Sequence, residues 1–126
     1  MMNNVKTVLV VEDEEAVRAL ITETIRDDSR YRLLEAKNGK EALDIARKEI
    51  PDVVILDVIM PIYDGFEVCR QIKSDPKTQK AIVLMLSALA QESNKEMGRQ
   101  AGADDYLIKP FSPTALIRIL DSVLGQ

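Results

Sequence analysis

Glu12, Asp13, Asp57, Ser87 and Lys109 each stand at the carboxyl end of an apolar run. Glu12-Asp13 follow TVLVV, Asp57 closes DVVILD, Ser87 follows AIVLML, and Lys109 follows DYLI. If those runs lie parallel in one sheet, their ends meet at one edge. That edge then gathers three carboxylates, a hydroxyl and an ammonium. Clustered carboxylates repel and raise one another's pKa, and a hard divalent cation relieves the repulsion. Mg²⁺ favours a few carboxylates together with waters and phosphate oxygens, and Mn²⁺ is expected to substitute. Ca²⁺ fits less well, because the spaced oxygen ligands of a calcium loop are missing. Phosphoryl transfer asks for charge neutralisation and in-line positioning. The metal can bridge a carboxylate and one phosphoryl oxygen, Lys109 can neutralise a second, and the Ser87 hydroxyl can donate to a third. No Ser, Thr or His stands between the acids as a better nucleophile, so Asp57 is the expected acceptor.

Each residue has a plainer use when taken alone. An acidic pair after a strand often begins a helix, where its charge suits the dipole. Asp57 before Met60-Pro61 can be a turn, Ser87 a structural hydroxyl, and Lys109-Pro110 a surface lysine before a loop. Their joint occurrence, each at a strand end, favours the chemical reading.

The elements that must position them alternate in period along the chain. Thr7 to Glu12, Arg32 to Ala36, Asp52 to Asp57, Ala81 to Leu86 and Asp105 to Ile108 read as strands. Between them, Glu14 to Arg26 places Val17, Leu20, Ile21 and Ile25 on one helical face, and Lys40 to Glu49 places Leu43, Ala46 and Ile50 together. Phe66, Cys69 and Ile72 mark a third helix. Gln91 to Ala101 is a weak fourth with Met97 as its apolar anchor and Gly102 as its natural terminator. Ser112-Pro113 opens the last helix, with Leu116, Leu120 and Val123 inward. The expectation is an α/β fold, a doubly wound (βα)₅ parallel sheet in three αβα layers. Ligands of such sheets bind beyond the strands' carboxyl ends.

Composition narrows the function further. The chain has 126 residues, 46% of them hydrophobic, which suits one domain with a substantial core. Its net charge is −4 with no Lys/Arg cluster, which argues against direct nucleic-acid binding. The absence of His removes Ser-His-Asp catalysis and most zinc sites. Cys69 is the only cysteine and reads as a small buried hydrophobe, suiting a reducing compartment. No signal peptide or membrane-length apolar run is present, so a cytoplasmic location is expected.

The stretches VLVVEDEEAVR, LDVIMPIYDGFEVCRQIK, MLSA and AGADDYLIKPFSP, which together span nearly the whole chain, carry a family likeness. The chain resembles the receiver domain of bacterial two-component response regulators, the chemotaxis-regulator-like type. The resemblance implies a flavodoxin-like strand order 2-1-3-4-5, with residues 1–126 as one receiver domain and no effector domain. It also implies that a sensor histidine kinase, a phosphotransfer protein or acetyl phosphate phosphorylates Asp57. Asp13, Asp57 and the backbone carbonyl of Ile59 would hold Mg²⁺, with Glu12 acting through a water. Ser87 and Lys109 would bind phosphoryl oxygens, and Tyr106 would be the switch aromatic. The Lys109–Pro110 peptide is commonly cis in this family. The domain would catalyse only its own phosphorylation and dephosphorylation. Two departures stand out: Glu12 replaces a common Asp, and Ile62 replaces a common Gly.

Three further expectations follow. Ile59 and Leu89 flank the pocket, offer no polar group to align a water and also exclude water, so self-dephosphorylation should be slow. The fourth helix, the Tyr106 strand and the last helix form the expected output surface, for a downstream target, a fused effector or a homodimer. Ala115 and Ile119 put a complete set of dimer salt bridges in doubt, because winged-helix regulators of this type carry charges there. Rival readings fit less well. Haloacid-dehalogenase-type phosphatases use an Asp-x-Asp pattern, and Ile59 stands at its second acid. A flavodoxin-type cofactor binder would not carry Glu12-Asp13-Glu14-Glu15 in its phosphate loop.

Overall fold

Alternate residues along each central strand enter opposite cores, and that alternation sets the three layers. The computed structural model describes residues 5–59, 64–87 and 92–125. The strands are β1 (Lys6–Val11), β2 (Tyr31–Ala36), β3 (Val53–Asp57), β4 (Ile82–Ser87) and β5 (Asp105–Ile108). The helices are α1 (Glu15–Arg26), α2 (Gly39–Glu49), α3 (Gly65–Ser74), α4 (Glu92–Ala101) and α5 (Pro113–Leu124). All neighbouring strands pair in parallel, in the order β2-β1-β3-β4-β5. Leu9, Val11, Val54, Leu56, Val83 and Met85 face α2, α3 and α4. Val8, Val10, Val53, Ile55, Leu84 and Leu86 face the opposite core, with α1 and α5. Burial on both faces is what the uninterrupted apolar runs require.

Local chemistry starts and stops the helices where the sheet needs them. Asn38 accepts from the Glu41 N–H at 2.9 Å, Asp64 from that of Glu67 at 2.9 Å, and Ser112 from that of Ala115 at 3.1 Å. Each cap satisfies a donor that the helix leaves orphaned, at about 1 kcal/mol. Gly102 ends α4 at φ +101°, where Lys73 Cγ would stand 2.9 Å from an added Cβ. No described helix is long and apolar enough to cross a membrane.

Three of the expected apolar positions turn outward. Leu20 is exposed, and the buried face of α1 runs through Ile21, Thr22 and Ile25. Ile50 lies past the end of α2 in the left-handed region, which rotates it away from Leu43 and Ala46. Met97 is also exposed, so it does not anchor α4. Ala101 is buried, and Gly98 lies against the Tyr106 ring. Cys69 is buried as expected, its Sγ 3.4 Å from the Ala101 carbonyl, and burial pushes its thiol up to about 11.

Candidate functional site

β1, β3 and β4 end side by side, so the parallel register gathers the sequence-predicted residues. Val11 pairs with Leu56, Asp57 with Leu86, and Ser87 with Ile108. Glu12, Asp13 and Asp57 each place a carboxylate oxygen within 4.8 Å of the others. Glu12 and Asp57 are buried and Asp13 is exposed, so the cluster opens to solvent on the Asp13 side. Lys109 Nζ reaches in from beyond β5, 2.8 Å from Glu12 Oε1 and 3.3 Å from Asp57 Oδ2. Ser87 is buried at the end of β4, where its carbonyl accepts from the Lys109 N–H at 2.7 Å. The Lys109–Pro110 peptide is cis.

The electrostatics follow from burial. Burial pushes the Glu12 carboxyl up to about 7, Asp57 beside it adds to that, and Lys109 opposes it. Burial works to lower the Lys109 pKa, but Glu12 and Asp57 outweigh it and hold the ammonium above its ordinary range. Glu12 is further fixed through its Oε2, which accepts from the Glu14 N–H at 3.1 Å, and its carbonyl, which accepts from Arg18 at 2.9 Å. An all-oxygen carboxylate set with one open side suits a hard divalent cation that keeps several waters, the pattern of Mg²⁺ or Mn²⁺.

Ile59, two residues past Asp57, brings its N–H to 3.4 Å from Asp57 Oδ1. Its side chain is 71% exposed, so it does not shield Asp57 from water, contrary to that part of the sequence expectation. Leu89 and Ile62 lie outside the described residues. Tyr106 does not join the cluster. It sits opposite Met85 in β5, and its hydroxyl is buried with no hydrogen-bond partner among the described residues.

Two features escaped the sequence reading. Lys109 already pairs with Glu12, whereas the sequence pointed only to phosphoryl oxygens. Gly65 also bears on the site, because a Cβ there would stand 2.2 Å from the Asp57 carbonyl oxygen and 2.8 Å from Val58 Cα. The Gly65 N–H donates to the Val58 carbonyl at 2.8 Å, which pulls the start of α3 against the acceptor strand. Asp64-Gly65 is a turn dipeptide in the sequence, a signal that carries no sign of this contact.

Comparison with known proteins agrees with this geometry. Residues 8–121 match the family model of the response regulator receiver domain. The alkaline phosphatase synthesis transcriptional regulatory protein PhoP of Bacillus subtilis is 44% identical over 123 residues, covering 96% of this chain and 49% of PhoP. The chain thus spans about half the length of such relatives. The chemotaxis response regulator CheY4 of Vibrio cholerae superposes with a TM-score of 0.89 at 34% identity, covering 94% of this chain and 98% of that one. The receiver domain of sensor histidine kinase PA1611 from Pseudomonas aeruginosa has a magnesium ion coordinated in its active-site cleft. It superposes with a TM-score of 0.88 at 30% identity, covering 97% of this chain and 99% of that one. With the strand order, the acidic cluster and the strand-end lysine all in place, this chain belongs to the response regulator receiver domain family.

Proposed function

We propose that Asp57 is the phosphoacceptor of this receiver, and that its phosphorylation switches the α4–β5–α5 surface. The observation that carries the reading is Lys109 Nζ within ion-pair distance of both Asp57 Oδ2 and Glu12 Oε1, the two buried members of a three-carboxylate cluster. A carboxylate oxygen of Asp57 attacks phosphorus. The bond from phosphorus to the donor breaks, and its electron pair leaves with the donor, a kinase or phosphotransfer-protein histidine nitrogen or acetate. Lys109 stands in place before the reaction, so it neutralises developing charge with little reorganisation. Ser87 donates its hydroxyl to a second phosphoryl oxygen. Asp13, Asp57 and the Ile59 carbonyl would hold Mg²⁺, with Glu12 acting through a water. When bound, the ion would neutralise the acids and the incoming phosphoryl group. The protein accelerates its own modification and its reversal, and otherwise signals without turnover.

The output rests on the fold. Ser87 and Lys109 lie at the ends of the two strands that lead to Tyr106, so a shift at the phosphoryl group reaches β5 directly. The partner is a downstream target, a fused effector or a second copy, met in the cytoplasm. Incubation with acetyl phosphate and Mg²⁺ followed by intact-mass measurement tests the reading. One added phosphoryl group, absent in Asp57→Asn and absent in EDTA, is expected. An unchanged mass, or a gain retained in Asp57→Asn, refutes it.

A further inference from the structure

The opposite, amino-terminal edge of the sheet holds a cleft of about 370 Å³ between the end of α2, the α3–β4 connection and the end of α5. We propose that this cleft binds a small amphipathic anion, specifically an alkyl carboxylate, at a site separate from the phosphorylation pocket. Its floor is apolar, formed by Ile82, Val123 and Leu124 with Pro51. Its rim carries Lys6, Lys77 and Lys80 against the single carboxylate of Asp52. None of the three lysines forms an ion pair among the described residues. Asp52 is already engaged, accepting from the Thr7 N–H at 2.7 Å. On a chain of net charge −4, this rim carries three lysines against one carboxylate.

Ile50 supplies the second observation. It lines the cleft, is 48% exposed, and sits at φ 49° and ψ 65°. A β-branched residue is strained there, and a large apolar side chain gains nothing from facing water. The left-handed position itself serves the helix end, since the Ile50 N–H donates to the Ala46 carbonyl at 2.9 Å. Gly or Asn would do that without the strain. The isoleucine is accounted for if its side chain covers an apolar ligand. Size favours a small molecule. The volume lies within the roughly 300–1,000 Å³ of ligand pockets. The ten lining residues are fewer than the about 20–30 a side of a stable protein interface.

The test is amide-resolved NMR of the intact protein, titrated separately with sodium octanoate, 1-octanol and inorganic phosphate. Octanoate should give saturable shifts at Lys6, Ile50, Ile82 and Leu124, at roughly millimolar concentration. The neutral alcohol should bind more weakly, and phosphate should not saturate. The Lys77→Glu/Lys80→Glu double variant should raise the octanoate Kd about tenfold, because two attractions become repulsions. Ile50→Asn, which the left-handed position tolerates, should weaken octanoate while leaving the fold intact. An absence of saturable octanoate shifts overturns the proposal. So does an octanoate Kd unchanged in the double variant, or phosphate that binds as well as octanoate.

Discussion

Replacing Asp57 by Asn in metal-free protein should stabilise the fold, although it destroys the proposed acceptor. At pH 8 Glu12 is largely ionised, since its carboxyl is held at about 7. Asp57 then feels two like charges within 4.8 Å. At an effective dielectric near 20, the buried Glu12 contributes about 3.5 kcal/mol of repulsion. The exposed Asp13 acts through water and contributes closer to about 1 kcal/mol. Lys109 at 3.3 Å from Asp57 returns about 5 kcal/mol of attraction. These Coulomb terms nearly cancel, so desolvation decides. An ionised carboxylate that is 6% exposed costs several kcal/mol to bury, and a neutral amide costs about 1–3 kcal/mol. The expected gain is about 1–3 kcal/mol, which for a domain of this size raises Tm by roughly 4–12 °C. Urea and thermal unfolding in EDTA measure it. Added Mg²⁺ at tenfold its Kd stabilises the wild type by about 1.4 kcal/mol and the variant less, so the gap should narrow as Mg²⁺ rises. A variant less stable than wild type in EDTA, or a gap indifferent to Mg²⁺, refutes the reasoning.

Gly65→Ala forces a methyl group onto the backbone of Asp57 and Val58 and should cost about 2–3 kcal/mol. Thermal unfolding and Mg²⁺ titration should both show the loss, and a Tm within about 2 °C of wild type would show that α3 has room to shift. Ile59→Asn places a polar group beside the acceptor and should speed loss of the phosphoryl group on the order of tenfold, followed by intact mass over time. An unchanged half-life would mean that the residue does not limit attack by water. Tyr31 donates to Asp121 at 3.1 Å, and burial first, with Asp121 adding, pushes its phenol up to about 12 from 10.0. Its folded pKa lies above its unfolded one, so its contribution is full below about pH 10 and is lost as pH rises through about 12. Urea midpoints across that window should fall for wild type and flatten for Tyr31→Phe.

The strand ends were legible because a buried parallel strand announces itself as an apolar run, and its first polar residue marks the edge of the sheet. That placed Glu12, Asp13, Asp57, Ser87 and Lys109 at one edge without coordinates. The order 2-1-3-4-5 was not legible in this way, because local period carries no information about which strands are neighbours. It came from the family likeness. The errors at Leu20, Ile50 and Met97 share a cause. Helical spacing fixes a face, but the width of that face depends on how neighbouring elements close over it, and Leu20 falls just outside. Ile50 was read as helical when it is the residue that ends the helix. The Glu12–Lys109 pair was hidden because residues 97 positions apart show no mutual signal until the fold joins them.

The site and the proposed output face share a backbone link, and the state of Tyr106 bears on how that link could switch. Its hydroxyl is buried without a partner among the described residues, although its ring fits against Gly98. An unsatisfied buried hydroxyl costs about 1–3 kcal/mol. The present arrangement of β5 against α4 is therefore held by ring packing against a standing polar penalty. Any second arrangement that satisfies the hydroxyl starts with that much in its favour. A phosphoryl group that engages Ser87 and Lys109 acts on the same two strand ends, where the Ser87 carbonyl holds the Lys109 N–H. About 1.4 kcal/mol of preference changes a two-state ratio tenfold, so a penalty of this size is enough for a local charge change to redistribute the population. Under the proposed function, the unsatisfied tyrosine hydroxyl would narrow the energy gap that phosphorylation of Asp57 has to overcome.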